Sequence, residues 1–548
     1  MSRWIVGSAW PYINGTPHLG TFMHLLSADV YARYLRMKGE EVVSVSGSDE
    51  HGTPIEVEAT KLGISPRALT DRNHAGVVAL LKQYMVELDN YTRTESPTHT
   101  EFARDFYMEV YRNGYVSTES VPLPYCPRDE RFLPDRFVEG VCPFCGYDGA
   151  RGDQCDNCGR LLEPVELKSP RCAICGATPV IKESRHWIFE LPKFSGRLKT
   201  YIDSCTQFPE NARNFSYKWL EEGLRPRPLT RDNKWGIPAP FPGAEGKTIY
   251  VWMEAVLGYL SATKEWAERK GDPAAFDRFW KGADTRTVIF MGKDNIPFHT
   301  IILPALLMAS DQGYVLPWQV SSTEFILFEG QKFSKSKNIG IWMDQAAKIA
   351  DPEYWRFVLM SIRPQSKDAN FGWAELDRIV NSDLNDVVGN YVHRTLTFLK
   401  NNFSSAVPEP GPLGDEERAL LASANEHGDR YLRLMDCFDI KEALKQVVEL
   451  ARKGNEFISV KEPWAQVKRD RMAAAATLYC ACEVVYSVAL MLYPFMPKSS
   501  SLLCGMLGLP SDPVKEGFGR LGTAALEPGH RLGSPSPLFA KIKVPEGD

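Results

Sequence analysis

Seven of the chain's twelve cysteines fall between residues 126 and 175, and three Cys-x-x-Cys pairs stand among them: Cys142/Cys145, Cys155/Cys158 and Cys172/Cys175. Each pair offers half of a tetrahedral thiolate site, the signature of structural zinc in a reducing compartment rather than of a disulfide framework. Around them, from about residue 121 to 185, the sequence is Cys/Pro/Gly-rich and has no apolar period, so this segment must fold around metal rather than around a hydrophobic core. Cys126-Pro127-Arg128-Asp129 repeats the pair spacing with Asp in the last place. The expected pairing is one zinc held by Cys142, Cys145, Cys155 and Cys158. A second site would use Cys126, Cys172 and Cys175 with Asp129 as an oxygen ligand, so one or two structural zincs are expected.

The rest of the chain is far too long to be organised by such a module. At 548 residues it exceeds one hydrophobic core, and several domains are expected. A net charge of -5 means that any nucleic-acid contact must come from local basic patches rather than a global field. Met1 to Trp10 contains no signal-peptide pattern, so the chain is expected to stay in the cytoplasm. Ala473 to Leu492 is apolar and long enough to span a bilayer, but Glu483 interrupts it and Pro494 and Pro497 close it, so it reads as a core helix and no membrane partner is expected.

Arg3 to Ser8 is an apolar run ending in a Pro/Asn/Gly turn, Pro11 to Pro17. Leu25, Ala28, Tyr31 and Leu35 follow at helical spacing, and then the Val-rich stretch Val42 to Val45. That is strand, helix, strand: the opening of a parallel α/β sheet, whose ligands gather at strand carboxyl ends, here Ser48-Asp49-Glu50-His51-Gly52-Thr53. The α/β character returns at Thr248 to Tyr259 and Thr287 to Ile302. Beyond about residue 376, Leu384, Val388, Tyr391 and Leu396 begin a helical bundle. The expected fold is α/β: a Rossmann-like catalytic domain split by a zinc-knuckle insertion and followed by an α-helical domain. Its parts are 1–120 and 226–325 for the two catalytic halves, 121–225 for the insertion with knuckles at 126–175, 326–375 for a lysine-loop region, 376–510 for the bundle and 511–548 for a tail of no readable function.

No Walker loop or GxGxxG turn stands between a strand and a helix, so a nucleotide would need another geometry. His18-Leu19-Gly20-Thr21 lies where the first strand's loop meets the helix, so backbone N–H groups and the positive helix end can face phosphates, with Gly20 allowing close approach. Lys332-Phe333-Ser334-Lys335-Ser336 puts two ammonium groups on a loop, where they can neutralise triphosphate charge. Gly292-Lys293-Asp294 follows an apolar strand, and Asp294 can accept from both ribose hydroxyls. In this order the two motifs resemble the HIGH and KMSKS signatures of class I aminoacyl-tRNA synthetases. Leu19 and Thr21 depart from the inner Ile and final His, and Phe333 departs from Met. The resemblance implies ATP binding by His18, Gly20, Thr21, Asp294, Lys332, Ser334 and Lys335, with His18, Thr21, Lys332 and Lys335 serving catalysis and Mg²⁺ accompanying ATP.

Longer stretches narrow the family: Ala9-Trp10-Pro11-Tyr12-Ile13-Asn14-Gly15, Ser48 to Pro54, Phe132 to Phe137, and Tyr250-Val251-Trp252-Met253-Glu254-Ala255. Together they resemble methionyl-tRNA synthetases of archaeal/eukaryotic type, from about residue 3 to about 500. The resemblance implies a methionine pocket of Trp10, Tyr12, Trp252, Ala255, Tyr259 and His299 with Asp49 on the ammonium, Trp10 standing where Leu is usual. Aromatic walls suit a polarizable thioether independently of any family. It also implies partners ATP, L-methionine and initiator and elongator tRNA(Met). Asn390 and Arg394, four apart on one helical face, and Trp464 after Pro463 match anticodon-reading positions and suit splayed RNA bases. A monomer is the default. Two rivals remain open at this point: a class I synthetase for a small aliphatic or thiol amino acid, and a zinc-ribbon RNA-binding module without activity.

Overall fold

The computed structural model describes residues 2–133, 137–152, 155, 157, 158, 160, 162–333 and 339–545. Its centre is a five-stranded parallel sheet. In chain order the strands are β1 (Arg3–Ser8), β2 (Glu41–Ser48), β3 (Asn90–Arg93), β4 (Thr285–Gly292) and β5 (Gln319–Thr323), and in space they run β5-β4-β1-β2-β3. This is a doubly wound order, which reverses direction at β1. β1 pairs with β4 from Arg3↔Thr285 to Ser8↔Phe290 and with β2 from Arg3↔Glu41 to Gly7↔Val45. Trp4 to Ser8 are all buried, as a central parallel strand requires. Where β1 and β4 end side by side, their following loops diverge and open a crevice.

Helix α1 (Leu19–Met37) enters directly from that crevice and buries most of its length against the sheet. β3 and β4 are separated by residues 94–284. Within that interval Val116–Cys126 and Val180–Phe189 form a long antiparallel hairpin, paired from Val116↔Phe189 to Tyr125↔Val180. The cysteine module sits at its far end, on a three-stranded sheet of Val138–Val141, Asp148–Arg151 and Lys168–Cys172. Its small core, Leu133, Phe137, Val138, Ala150, Leu162 and Leu167, is completed by buried cysteines.

After β5 come a small three-stranded sheet of Ile326–Phe328, Gln331–Lys332 and Ala369–Phe371 and then a helical region. α2 (Asn390–Asn402), α3 (Asp415–Asp436), α4 (Ile440–Lys461) and α5 (Arg471–Leu492) pack on one another, and their apolar faces join those of α1 and β1 in one continuous core. α5 is long and apolar enough to cross a membrane, and its apolar window is 100% buried inside the protein. Glu483 on α5 accepts from the backbone N–H groups of Ala525 and Leu526 at 2.7 and 2.8 Å, which ties the tail to the bundle. The tail continues back across α2's approach, where Asn381 holds Ile542 through its backbone N–H and C=O.

Candidate active site

A cavity of about 340 Å³ opens in the crevice between β1 and β4. α1 supplies its first wall. His18 caps the helix: its Nδ1 accepts from the Thr21 backbone N–H at 3.2 Å, and Thr21 Oγ1 lies 3.2 Å from its Nε2. A Cβ on Gly20 would stand 3.0 Å from that imidazole, so glycine here lets the ring fold over the helix start. Burial holds His18 down at about 4, a neutral imidazole near pH 7.

The second wall comes from the lysine segment. Gln331–Lys332 pairs with Ile326–Phe328, placing Lys332 at the cavity with its ammonium 4.8 Å from the Phe325 ring. Phe333 stacks on His18 with ring centroids 4.8 Å apart and planes 22° apart. Farther along, Leu19 N–H donates to Ile341 O at 3.0 Å and Met343 N–H to Pro17 O at 3.1 Å. The two motifs, far apart in sequence, therefore meet face to face. Ser334 and Lys335 lie outside the described residues.

Asp294, on the turn after β4, lines the same cavity, and burial raises its carboxyl while Lys293 and Lys332 oppose the shift. His24, which sequence reasoning missed, lines it too. It sits on α1 two residues past Phe22, bonded to Thr323 Oγ1 at 2.9 Å, and burial, with Arg363, lowers it to about 3. Gly292, whose added Cβ would stand 3.2 Å from His24, makes room for it.

The remaining wall is aromatic. Trp10, Tyr12 and Trp252 line the cavity beside Asp49. Trp252 is 38% exposed and stacks on Phe298 at 4.9 Å, standing at the mouth. Trp10 is wedged inward: Cβ atoms on Gly47 and Gly258 would lie 2.7 and 2.5 Å from its indole, so both glycines are vacated for it. Tyr12 donates its hydroxyl to His51 O at 2.7 Å and accepts from Ile55 N–H at 3.2 Å. Tyr259 and His299 are buried and bonded to each other at 2.8 Å, and the other His299 nitrogen meets Asn295 O at 2.8 Å. Neither they nor Ala255 lines the cavity. Asp49 Oδ1 is buried without a hydrogen-bond partner, and burial and the neighbouring Glu254 push its carboxyl well above the usual range.

Residues 4–396 match the family model of class I tRNA synthetases (M), and residues 407–547 match the anticodon binding domain of methionyl tRNA ligase. The chain belongs to the methionyl-tRNA synthetase family. The methionine–tRNA ligases of Korarchaeum cryptofilum (strain OPF8) and Thermofilum pendens (strain DSM 2475 / Hrk 5) are each 52% identical to it, and each alignment covers 99% of this chain and 96% of the relative. A Mycobacterium tuberculosis methionyl-tRNA synthetase in complex with methionyl-adenylate superposes with a TM-score of 0.81 at 27% identity, over 98% of this chain and 100% of that one.

Two further groups of residues bear on the synthetase reading. Cys142, Cys145, Cys155 and Cys158 bring their Sγ atoms within 4.8 Å of one another, and Cys126, Asp129, Cys172 and Cys175 do the same with three sulfurs and an oxygen. Sulfur–sulfur separations of 3.9 Å (Cys142–Cys158) and 3.6 Å (Cys145–Cys155) are too long for disulfides. They match the edge of about 3.8 Å that a tetrahedron with bonds of about 2.3 Å requires. Asp129 Oδ2 lies 3.3 Å from Cys126 Sγ and 3.0 Å from Cys172 Sγ. Both quartets could hold a metal ion. In the bundle, Arg394 lies over Trp464 at 5.7 Å, and the two line a separate cavity of about 250 Å³. Asn390 is exposed at the start of α2, one turn before Arg394.

Proposed function

We propose that the crevice is an adenylate-forming site in which the carboxylate of methionine attacks the α-phosphorus of ATP, releasing pyrophosphate. The methionyl group then passes to the terminal ribose of tRNA, so the activity is that of a methionine–tRNA ligase. The observation that carries this reading is the contact of His18 with Phe333, which brings the helix-end motif and the lysine segment to opposite sides of one cavity. His18, neutral, donates to the phosphate without adding charge. Lys332, and with it Lys335 and Ser334, stabilise charge developing on the departing pyrophosphate, while Gly20 presents its backbone N–H and Thr21 its hydroxyl to the phosphates. Asp294 accepts from the ribose hydroxyls.

Asp49 takes the methionine ammonium, and Trp10, Tyr12 and Trp252 enclose the thioether, with Ala255, Tyr259 and His299 supporting that wall from behind. Mg²⁺ accompanies ATP and supplies charge neutralisation at the triphosphate. Zinc in the two quartets is structural: four protein ligands leave no open position in either. Asn390, Arg394 and Trp464 read the anticodon of initiator and elongator tRNA(Met), and the protein works as a monomer in the cytoplasm. Amino-acid-dependent ATP–pyrophosphate exchange tests the substrate. Methionine is expected to support it best, and faster exchange with leucine, valine, isoleucine or cysteine would reject the assignment.

A further inference from the structure

Behind Asp49, which lines the cavity, lies a buried chain of charged groups for which the reaction above has no use. Glu254, on the helix that carries Trp252, is fully buried; its Oε1 bonds to His51 Nδ1, and its Oε2 has no partner. His51 Nε2 lies 2.5 Å from Glu95 Oε1, and the other Glu95 oxygen is paired with the exposed Arg67. Both imidazole nitrogens thus face carboxylate oxygens that only accept, so both must carry protons. Burial opposes the resulting charge, but Glu254 and Glu95 outweigh it and raise His51 to about 10.

The other ionisable groups packed around this chain leave its charge unbalanced. Glu50 is neutralised separately by Arg93 at 2.8 Å, and Arg93 also holds Asp71 at 2.6 Å. His99, which packs against Trp10, is lowered to about 3 by burial and by His51, and is neutral. Asp49, Glu254 and Glu95 then contribute three negative charges against the two positive charges of His51 and Arg67. One cation is missing, at the end that faces the cavity.

We propose that His51, clamped as an imidazolium between Glu254 and Glu95, is a positioning residue for amino-acid binding that holds Asp49 and Glu254 in an array one positive charge short, which the methionine ammonium completes. The proposal rests on the assignment of Asp49 to the ammonium. In the empty pocket the excess negative charge is relieved by a proton held on Asp49 or Glu254, and the entering ammonium displaces that proton to solvent. Methionine binding therefore weakens as pH falls and the pair holds its proton more tightly.

Two conservative variants move this acid limb in opposite directions. Glu254→Gln removes the like charge beside Asp49 and shifts the limb to lower pH. His51→Gln removes the countercharge and shifts it to higher pH, raising the KM for methionine near neutrality about tenfold for every pH unit that the limb moves. Pyrophosphate exchange, with KM for methionine and for ATP measured across about pH 5 to 8, is the readout; the KM for ATP is expected to stay flat. Limbs that coincide with that of the unaltered protein, or that shift in the same direction, would overturn the proposal. Should Glu254→Gln fail to fold, the direction of the His51→Gln shift decides alone. Asp49→Asn separates the two layers: an unchanged methionine KM there defeats the ammonium assignment itself, whereas a raised KM with unmoved limbs in the other two variants defeats only the role of His51.

Discussion

Trp10 shows how a single large residue is accommodated only by the absence of side chains elsewhere. Its indole occupies the space of the missing Cβ atoms on Gly47 at the end of β2 and Gly258 at the start of a distant helix. Gly258→Ala is expected to push the ring into the cavity. That should raise the KM for methionine and destabilise the protein by about 1–3 kcal/mol, the usual cost of overpacking; thermal melts and exchange kinetics check both. The place of His18 at the helix start was legible because its motif is local: a strand, a turn and a helix start within a few residues. The accommodation of Trp10 was not, because nothing in Ala9-Trp10-Pro11 announces glycines that lie far along the chain. His24 escaped for the same reason, since its meaning comes from Thr323 and Gly292, which meet it only in the folded sheet.

At the scale of elements, the long hairpin and its cysteine module were the most readable part of the chain. Thiolate spacing is a covalent-scale constraint that tertiary context does not override, and the quartets form as the pairs suggested. Metal analysis is expected to return two zincs per chain. Asp129→Ala should lower that to about one, while Cys145→Ala should remove the other and loosen a module that has little apolar core of its own. A value near one zinc in the unaltered protein would eliminate the Asp129 site. The sheet's parallel character was legible from its apolar runs, but its strand order was not, because register between strands separated by residues 94–284 is decided by packing rather than by local pattern.

The whole molecule is joined by α1, which starts at the ATP crevice and ends against the bundle. Asp29 on α1 is buried between Arg33, at 3.1 Å, and Arg356, at 2.7 Å; Arg356 also donates to the carbonyls of Pro494 and Phe495 beyond α5. Replacing Asp29 with Asn leaves the buried Arg356 without its carboxylate, while Arg33 keeps Glu87 at 3.0 Å, and is expected to cost about 3–5 kcal/mol, seen as a lower urea midpoint. The catalytic and RNA ends are nonetheless separate sites. Trp464→Ala should weaken tRNA charging while sparing pyrophosphate exchange, and equal loss in both would count against an anticodon role. The central claim is that the helix-end motif and the lysine segment act as one site, and a double-mutant cycle on His18→Ala and Lys332→Ala in methionine-dependent pyrophosphate exchange tests it most directly. Each single variant is expected to lose about 10²–10³-fold in rate. The double variant should lose clearly less than the product of the two, because groups that stabilise one transition state are not independent; strictly multiplicative losses, or exchange that survives in either single variant, would contradict a shared site.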